Sequence, residues 1–116
     1  MIPDRMKRVN EACREALGEI VQKEMKDPRV SFVTITKVEV SPDLRVAHVW
    51  MSVMGSQEES ENAMRALERA RGFMRRELGR RVRLRFTPEL FLHRDLGAET
   101  SQRVQGVLHE LERGGE

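Results

Sequence analysis

The chain has 116 residues, 39% of them hydrophobic and 34% charged, with a formal net charge of +2. That composition supports one modest core, and no apolar run approaches the ~18 residues that a membrane-spanning helix needs. The single cysteine, Cys13, excludes an internal disulfide framework, and His48, His93 and His109 are too far apart in sequence to suggest a metal cluster.

Met1-Ile2-Pro3-Asp4-Arg5 has no apolar signal core, so a soluble cytoplasmic protein is expected. Residues 3–26 read as a helix, because Met6, Val9, Cys13, Ala16, Leu17, Ile20 and Val21 recur at helical spacing. Cys13 falls on that apolar side, which favours packing over reactivity. Asp27-Pro28 should end the helix, since the residue before proline is pushed out of the α region. Residues 31–41 are rich in β-branched side chains. Val33 and Ile35 share one parity while Val38 and Val40 share the other, so a bulge is predicted near Thr36-Lys37. Ser41-Pro42-Asp43 is turn chemistry. A second strand follows from Arg45 to Met54, with Ala47, Val49, Met51 and Val53 on one face and His48 and Trp50 on the other.

Gly55-Ser56 breaks the strand, and Ser56 with Glu59 fits a capping box. A helix then runs to about Leu78, burying Ala63, Met64, Leu67, Ala70, Phe73, Met74 and Leu78. Gly72 lies inside it at a cost of ~1 kcal/mol against alanine, so a kink or a close approach is expected there. Gly79 suits the position just past the helix end. A third strand is predicted from Arg81, with Val82, Leu84 and Phe86 inward and Arg81, Arg83 and Arg85 outward. Thr87-Pro88 interrupts it, and Leu90, Phe91 and Leu92 continue the apolar run to Asp95. A short helix over Thr100–Arg113 closes the chain. The predicted order is α-β-β-α-kink-α-β-α, which packs most economically as one sheet backed by helices.

The charge is unevenly distributed. Residues 65–94 hold ten arginines against Glu68, Glu77 and Glu89, a net of +7, which leaves −5 on the rest of the chain. A basic surface on a mildly acidic body reads as a nucleic-acid contact. Arginine in particular suits bidentate phosphate contact. Asp27, Asp43 and Asp95 fit local backbone-bonding roles, and no nucleophile shows an activating partner, so no catalytic residue is assigned.

Several stretches carry a resemblance. They are Asp27-Pro28-Arg29-Val30, then Val33 to Leu44 (Val-Thr-Ile-Thr-Lys-Val-Glu-Val-Ser-Pro-Asp-Leu), then Ala66 to Gly79, including Ala70-Arg71-Gly72-Phe73. The last are Leu84-Arg85-Phe86-Thr87-Pro88-Glu89-Leu90 and Asp95. In this order and spacing they resemble bacterial ribosome-binding factor A over about residues 5–112. The resemblance implies an α+β fold, a single KH-like domain of type II topology spanning residues 1–116. It also implies a non-catalytic assembly factor that binds immature 30S subunits and 16S rRNA. Such factors support late maturation, 5′-end processing of pre-16S rRNA and growth in the cold, and a GTPase is associated with their release. No cofactor or metal is implied, and a monomer is expected.

Ordinary KH domains clamp nucleic acid with a Gly-x-x-Gly loop. Here the resembling stretch is Ala70-Arg71-Gly72, which shortens the loop to a kink and favours binding by shape and phosphate charge. The expected RNA-binding set is Lys7, Arg8, Arg69, Arg71, Arg75, Arg76, Arg80, Arg81, Arg83 and Arg85, around a kink at Ala70 and Gly72. Two other readings stand beside this one. Val104-Gln105-Gly106-Val107 echoes part of an acylphosphatase phosphate loop, and a protein-binding adaptor would bind the ribosome without relying on Arg76, Arg80 and Arg83. Trp50 and His48, on one strand face, are candidates for base stacking.

Overall fold

Asp4–Glu19 forms helix α1, with Met6, Cys13, Ala16 and Leu17 buried as their spacing predicts. The computed structural model describes residues 2–99, and the expected C-terminal helix lies outside them. Burial raises the Cys13 thiol pKa to about 11, as a packed, unreactive cysteine should show. Beyond Glu19 the winding loosens into a π turn, Ile20–Glu24, closed by the Met25 N–H donating to the Ile20 carbonyl at 3.1 Å. Asp27-Pro28 then ends the helical run, and Pro28–Val30 makes one 3-10 turn. The Asp27 carboxylate accepts from the Arg29 side chain and backbone N–H, which holds its pKa down to about 2.

Strands β1 (Val33–Val40) and β2 (Val46–Val53) pair antiparallel, and the register shifts between Ile35 and Lys37. The shift is the predicted bulge. It turns Val33, Ile35, Val38 and Val40 all inward despite their mixed parity. The turn between the strands is held by the Ser41 hydroxyl, which donates to Asp43 at 2.7 Å and accepts from the Val46 N–H at 3.0 Å. Leu44 there adopts a left-handed φ of 63°. Helix α2 (Gln57–Arg69) starts on the predicted capping box: Ser56 Oγ accepts the Glu59 N–H at 3.1 Å, and Glu59 Oε1 accepts the Ser56 N–H at 3.0 Å. Helix α3 (Arg71–Arg81) follows after one residue, Ala70. Strand β3 (Glu89–Arg94) then pairs parallel to β2, giving the sheet order β1-β2-β3. Parallel neighbours need a long crossover, and α2 with α3 supplies it. The helices bury one sheet face. Leu17, Ile20, Met51, Leu67, Met74, Leu78 and Leu90 are its largest enclosed side chains. The architecture is the expected α+β arrangement in the KH-like order.

Three local expectations are corrected. The helix break falls at Ala70, whose φ of −90° and ψ of 4° leave the α region, whereas Gly72 is an ordinary residue in the first turn of α3. Gly79 does not stop the helix, which continues to Arg81 with Val82 as its cap. Gly79 is there for space: a Cβ at that position would lie 2.8 Å from Thr87 Oγ1. The third strand begins at Glu89, not Arg81. Its first ladder bond is from the Glu89 N–H to the Arg45 carbonyl, 2.9 Å, where β2 itself begins. Residues 82–88 would have to pair with a part of the chain that is still turning out of β1. They cross as an unpaired connector, and Pro88 lacks the N–H to extend the ladder.

Candidate nucleic-acid interface

The β1–β2 turn, the outer side of α3 and the 82–88 connector converge on a cleft of about 510 Å³ lined by Arg45, Arg75, Arg76, Arg85, Phe86 and Thr87. Each group is placed by a local device. Asp43 Oδ1 accepts the Arg45 N–H at 3.2 Å, and the Arg45 carbonyl starts the β3 ladder, so Arg45 sits at the corner of the sheet. The Ser41 hydroxyl, then the Arg45 N–H, hold the Asp43 carboxyl below the usual range. Arg75 and Arg76 occupy consecutive exposed positions of α3, and Arg75 Nη2 donates to the Thr87 carbonyl at 2.9 Å, tying helix to connector. The Arg45 guanidinium lies 4.0 Å from the Phe86 ring centroid, and that of Arg85 lies 5.5 Å away. Four guanidinium groups thus line the cleft, with no carboxylate among the described lining residues. Crowded like charge of this kind attracts polyanions and favours bidentate phosphate contact.

The other predicted residues divide. Arg81 is paired within the fold: its Nη1 meets Glu19 at 3.2 Å and its Nη2 meets Glu24 at 2.9 Å. Those glutamates lie at the two ends of the π turn of α1, which brings them to one side so that a single guanidinium can fork them. Arg71 and Arg80 make exposed local pairs with Glu68 and Glu77, at 3.7 and 3.3 Å. Arg69 is exposed at the end of α2 and Arg83 is exposed on the connector, so the predicted outward row of Arg81, Arg83 and Arg85 is not a strand face. Lys7 lies apart from the cleft. It lines a separate groove with Arg14 and Lys37 between α1 and β1, and Arg8 is exposed on α1.

Sequence reasoning misses Arg45. Its only signal is an arginine immediately after turn residues. Nothing in the sequence says that the turn meets a connector so distant along the chain.

The α2–α3 junction adds a second feature. The Ala70 N–H completes α2 by donating to Ala66 and Leu67, and its carbonyl accepts the first α3 bond from Met74 at 2.9 Å. Alanine offers no side-chain cap, so the first N–H groups of α3 are left without one, between Arg69 and Arg71. Gly72 is exposed in that turn. A Cβ there would meet nothing nearer than Arg76 Nη1 at 3.9 Å, so nothing in the described fold demands the glycine.

Residues 5–108 match the sequence profile of the family described as Ribosome-binding factor A. The chain belongs to this family. The crystal structure of ribosome-binding factor A from Thermus thermophilus is similar, with a TM-score of 0.69 and 31% identity over 77% of this chain and 94% of that one. A Thermotoga maritima solution structure described as a putative ribosome binding factor A gives 0.68 and 33%, over 80% and 90%. A Thermus thermophilus ribosome binding factor A fitted into the cryo-EM map of a 30S complex gives 0.59 and 34%, over 70% and 85%.

Within this ribosome-binding factor A fold, the face of the sheet away from the helices carries a cluster of rings. His48 Nδ1 and His93 Nε2 are 2.8 Å apart, Trp50 stands 5.1 Å from the His93 ring, and Phe91 stands 5.5 Å from His48. Lys37 lies 5.1 Å from the Trp50 centroid and pairs with Glu39 at 2.8 Å. Among the described residues no group of three or more His, Cys, Asp or Glu could hold a metal ion, and no helix is long and apolar enough to cross a membrane. Asp95 serves the backbone, as expected: it accepts the Ala98 N–H at 3.0 Å and the Thr36 hydroxyl at 2.8 Å, which lower its pKa in that order.

Proposed function

We propose that this chain binds the 30S ribosomal subunit through 16S rRNA and acts there by occupancy, without catalysis. The observation that carries the reading is the cleft of Arg45, Arg75, Arg76 and Arg85, which has four guanidinium groups and no carboxylate among the described lining residues. Three of the four come from the one segment of the chain with a large positive excess. The uncapped start of α3, flanked by Arg69 and Arg71, adds a favourable dipole end beside it. Family membership and the relative fitted into a 30S map point the same way. The bare helix surface at Gly72 lets a sugar-phosphate backbone come close, and the single-residue break at Ala70 takes the place of a full KH loop.

On this reading the chain is one cytoplasmic, monomeric domain that recognises immature subunits. Its arginines neutralise phosphates of a partly folded rRNA region and favour the fold needed for late maturation and 5′-end processing of pre-16S rRNA. That assistance matters most in the cold, where misfolded RNA escapes slowly. A GTPase then drives release. Co-sedimentation with purified 30S and 70S particles tests the proposal. The chain should pellet with 30S and not with 70S, and the triple reversal of Arg75, Arg76 and Arg85 to Glu should abolish pelleting while its circular dichroism stays native. Equal recovery with both particles would sink the reading. So would an unaffected triple variant, which is what a protein-binding adaptor predicts.

A further inference from the structure

Phosphate binding explains the arginines of the cleft and leaves Phe86 unexplained. The chain has only four phenylalanines and one tryptophan, and Phe86 is 37% exposed at the wall of the four-arginine cleft. A ring in an arginine cleft adds nothing to contact with phosphate alone. The ring is also held in place: Arg45 lies over it at 4.0 Å, and Thr87, the next residue, is tied to Arg75. A fixed π surface beside several guanidinium groups is complementary to a ligand that is flat at one end and anionic at the other. The cleft volume, about 510 Å³, lies within the range of about 300–1,000 Å³ that small-ligand sites occupy.

We propose that this cleft receives one unstacked nucleotide of the bound RNA, its base against the Phe86–Arg45 pair and its phosphates on Arg75, Arg76 and Arg85. The inference rests on the RNA-binding reading above and adds a ligand to it. A base inside an A-form helix presents no free face, whereas a base in a loop, bulge or single-stranded end does. The site therefore makes the chain a reader of single-stranded rRNA at one position. The same aromatic-plus-arginine chemistry would serve a free nucleotide, but further arginines, Arg69 just before α3 and Arg83 just before Arg85, are exposed on the neighbouring stretches of chain, which suits a polymer.

The test is fluorescence titration with a short single-stranded RNA carrying one 2-aminopurine, beside the same strand with an abasic site there and the same strand annealed to its complement. The wild-type chain should quench the 2-aminopurine and bind the abasic strand about tenfold more weakly, the loss of one base stack. It should also prefer the single strand to the duplex. Phe86→Leu should lose the quench and the abasic discrimination while keeping its melting temperature, and Phe86→Trp should restore both. Arg85→Gln leaves the Phe86–Arg45 stack in place, so it should weaken binding yet keep the discrimination. Equal wild-type affinity for the intact and abasic strands overturns the proposal, as does a Phe86→Leu chain that still discriminates. Adenosine or guanosine monophosphate competing at the same concentration as the RNA also overturns it. The parent reading is separable: if the arginine reversal abolishes 30S pelleting while Phe86→Leu changes nothing, the base site alone falls.

Discussion

At Gly72, fold and binding pull in opposite directions. In an exposed helical turn glycine is worse than alanine by roughly 1 kcal/mol, and no neighbour would be crowded by the missing methyl group. Gly72→Ala should therefore leave the melting temperature unchanged or raise it by a few degrees. A backbone approaching that turn would meet the new Cβ directly, so 30S affinity should fall by about tenfold, read by co-sedimentation at fixed salt. Stabilisation with undiminished binding would remove Gly72 from the interface. The sequence makes this residue visible as an anomaly inside a helical pattern and leads one to expect the kink at Ala70 and Gly72 together. The break is at Ala70 alone, the single residue between α2 and α3, and alanine's high helix propensity gives no sign of it.

The elements are legible wherever local pattern and tertiary partner agree. The parity switch between Ile35 and Val38 requires a bulge, and the register shift is there. Ser56 and Glu59 announce a helix start, and both reciprocal bonds form. The pattern misleads over Arg81 to Phe86, where the alternation is as clean as in a real strand. A strand exists only if a neighbour offers a ladder, and β2 begins at Val46, opposite Glu89. The apolar residues of the alternation still pack, since Val82 and Leu84 lie against the core, but Phe86 is turned out to the cleft. Gly79 is where this misreading starts. Its composition signals a stop, yet it is the point where the connector lies against α3. A methyl group there would lie 2.8 Å from Thr87 Oγ1, so the Thr87 side chain must move. Gly79→Ala should thus destabilise the fold by about 1–3 kcal/mol in urea titration, despite alanine's better helix propensity. It should also displace Thr87, the partner of Arg75, and so weaken RNA binding beyond what the lost stability explains. A neutral or stabilising Gly79→Ala would mean that this contact is not maintained in solution.

Across the whole molecule, the formal charge overstates the positive charge left unpaired for the proposed RNA contact. The segment 65–94 nets +7, but Arg81 is held between Glu19 and Glu24, and Arg94 pairs with Glu99 at 2.5 Å. Both are engaged by carboxylates of the fold, and sequence alone could not separate them from the rest because their partners lie 62, 57 and 5 residues away. The cleft set of Arg45, Arg75, Arg76 and Arg85 has no carboxylate among its described lining residues. Four phosphates neutralised by four arginines should make log affinity fall with log salt at a slope of about −3 for a single strand and nearer −4 for a duplex. Each of Arg75→Gln, Arg76→Gln and Arg85→Gln should then reduce the slope by about 0.7 to 0.9, because each releases one counterion fewer. Arg81→Gln should leave the slope unchanged, since its charge is already balanced within the fold. Titrating the RNA at several salt concentrations with these four variants separates the two classes. An Arg81→Gln slope that drops as far as the cleft variants would return Arg81 to the interface and show that its glutamate pairs yield to phosphate on binding. A cleft variant with an undiminished slope would mean that its arginine only shapes the cleft wall.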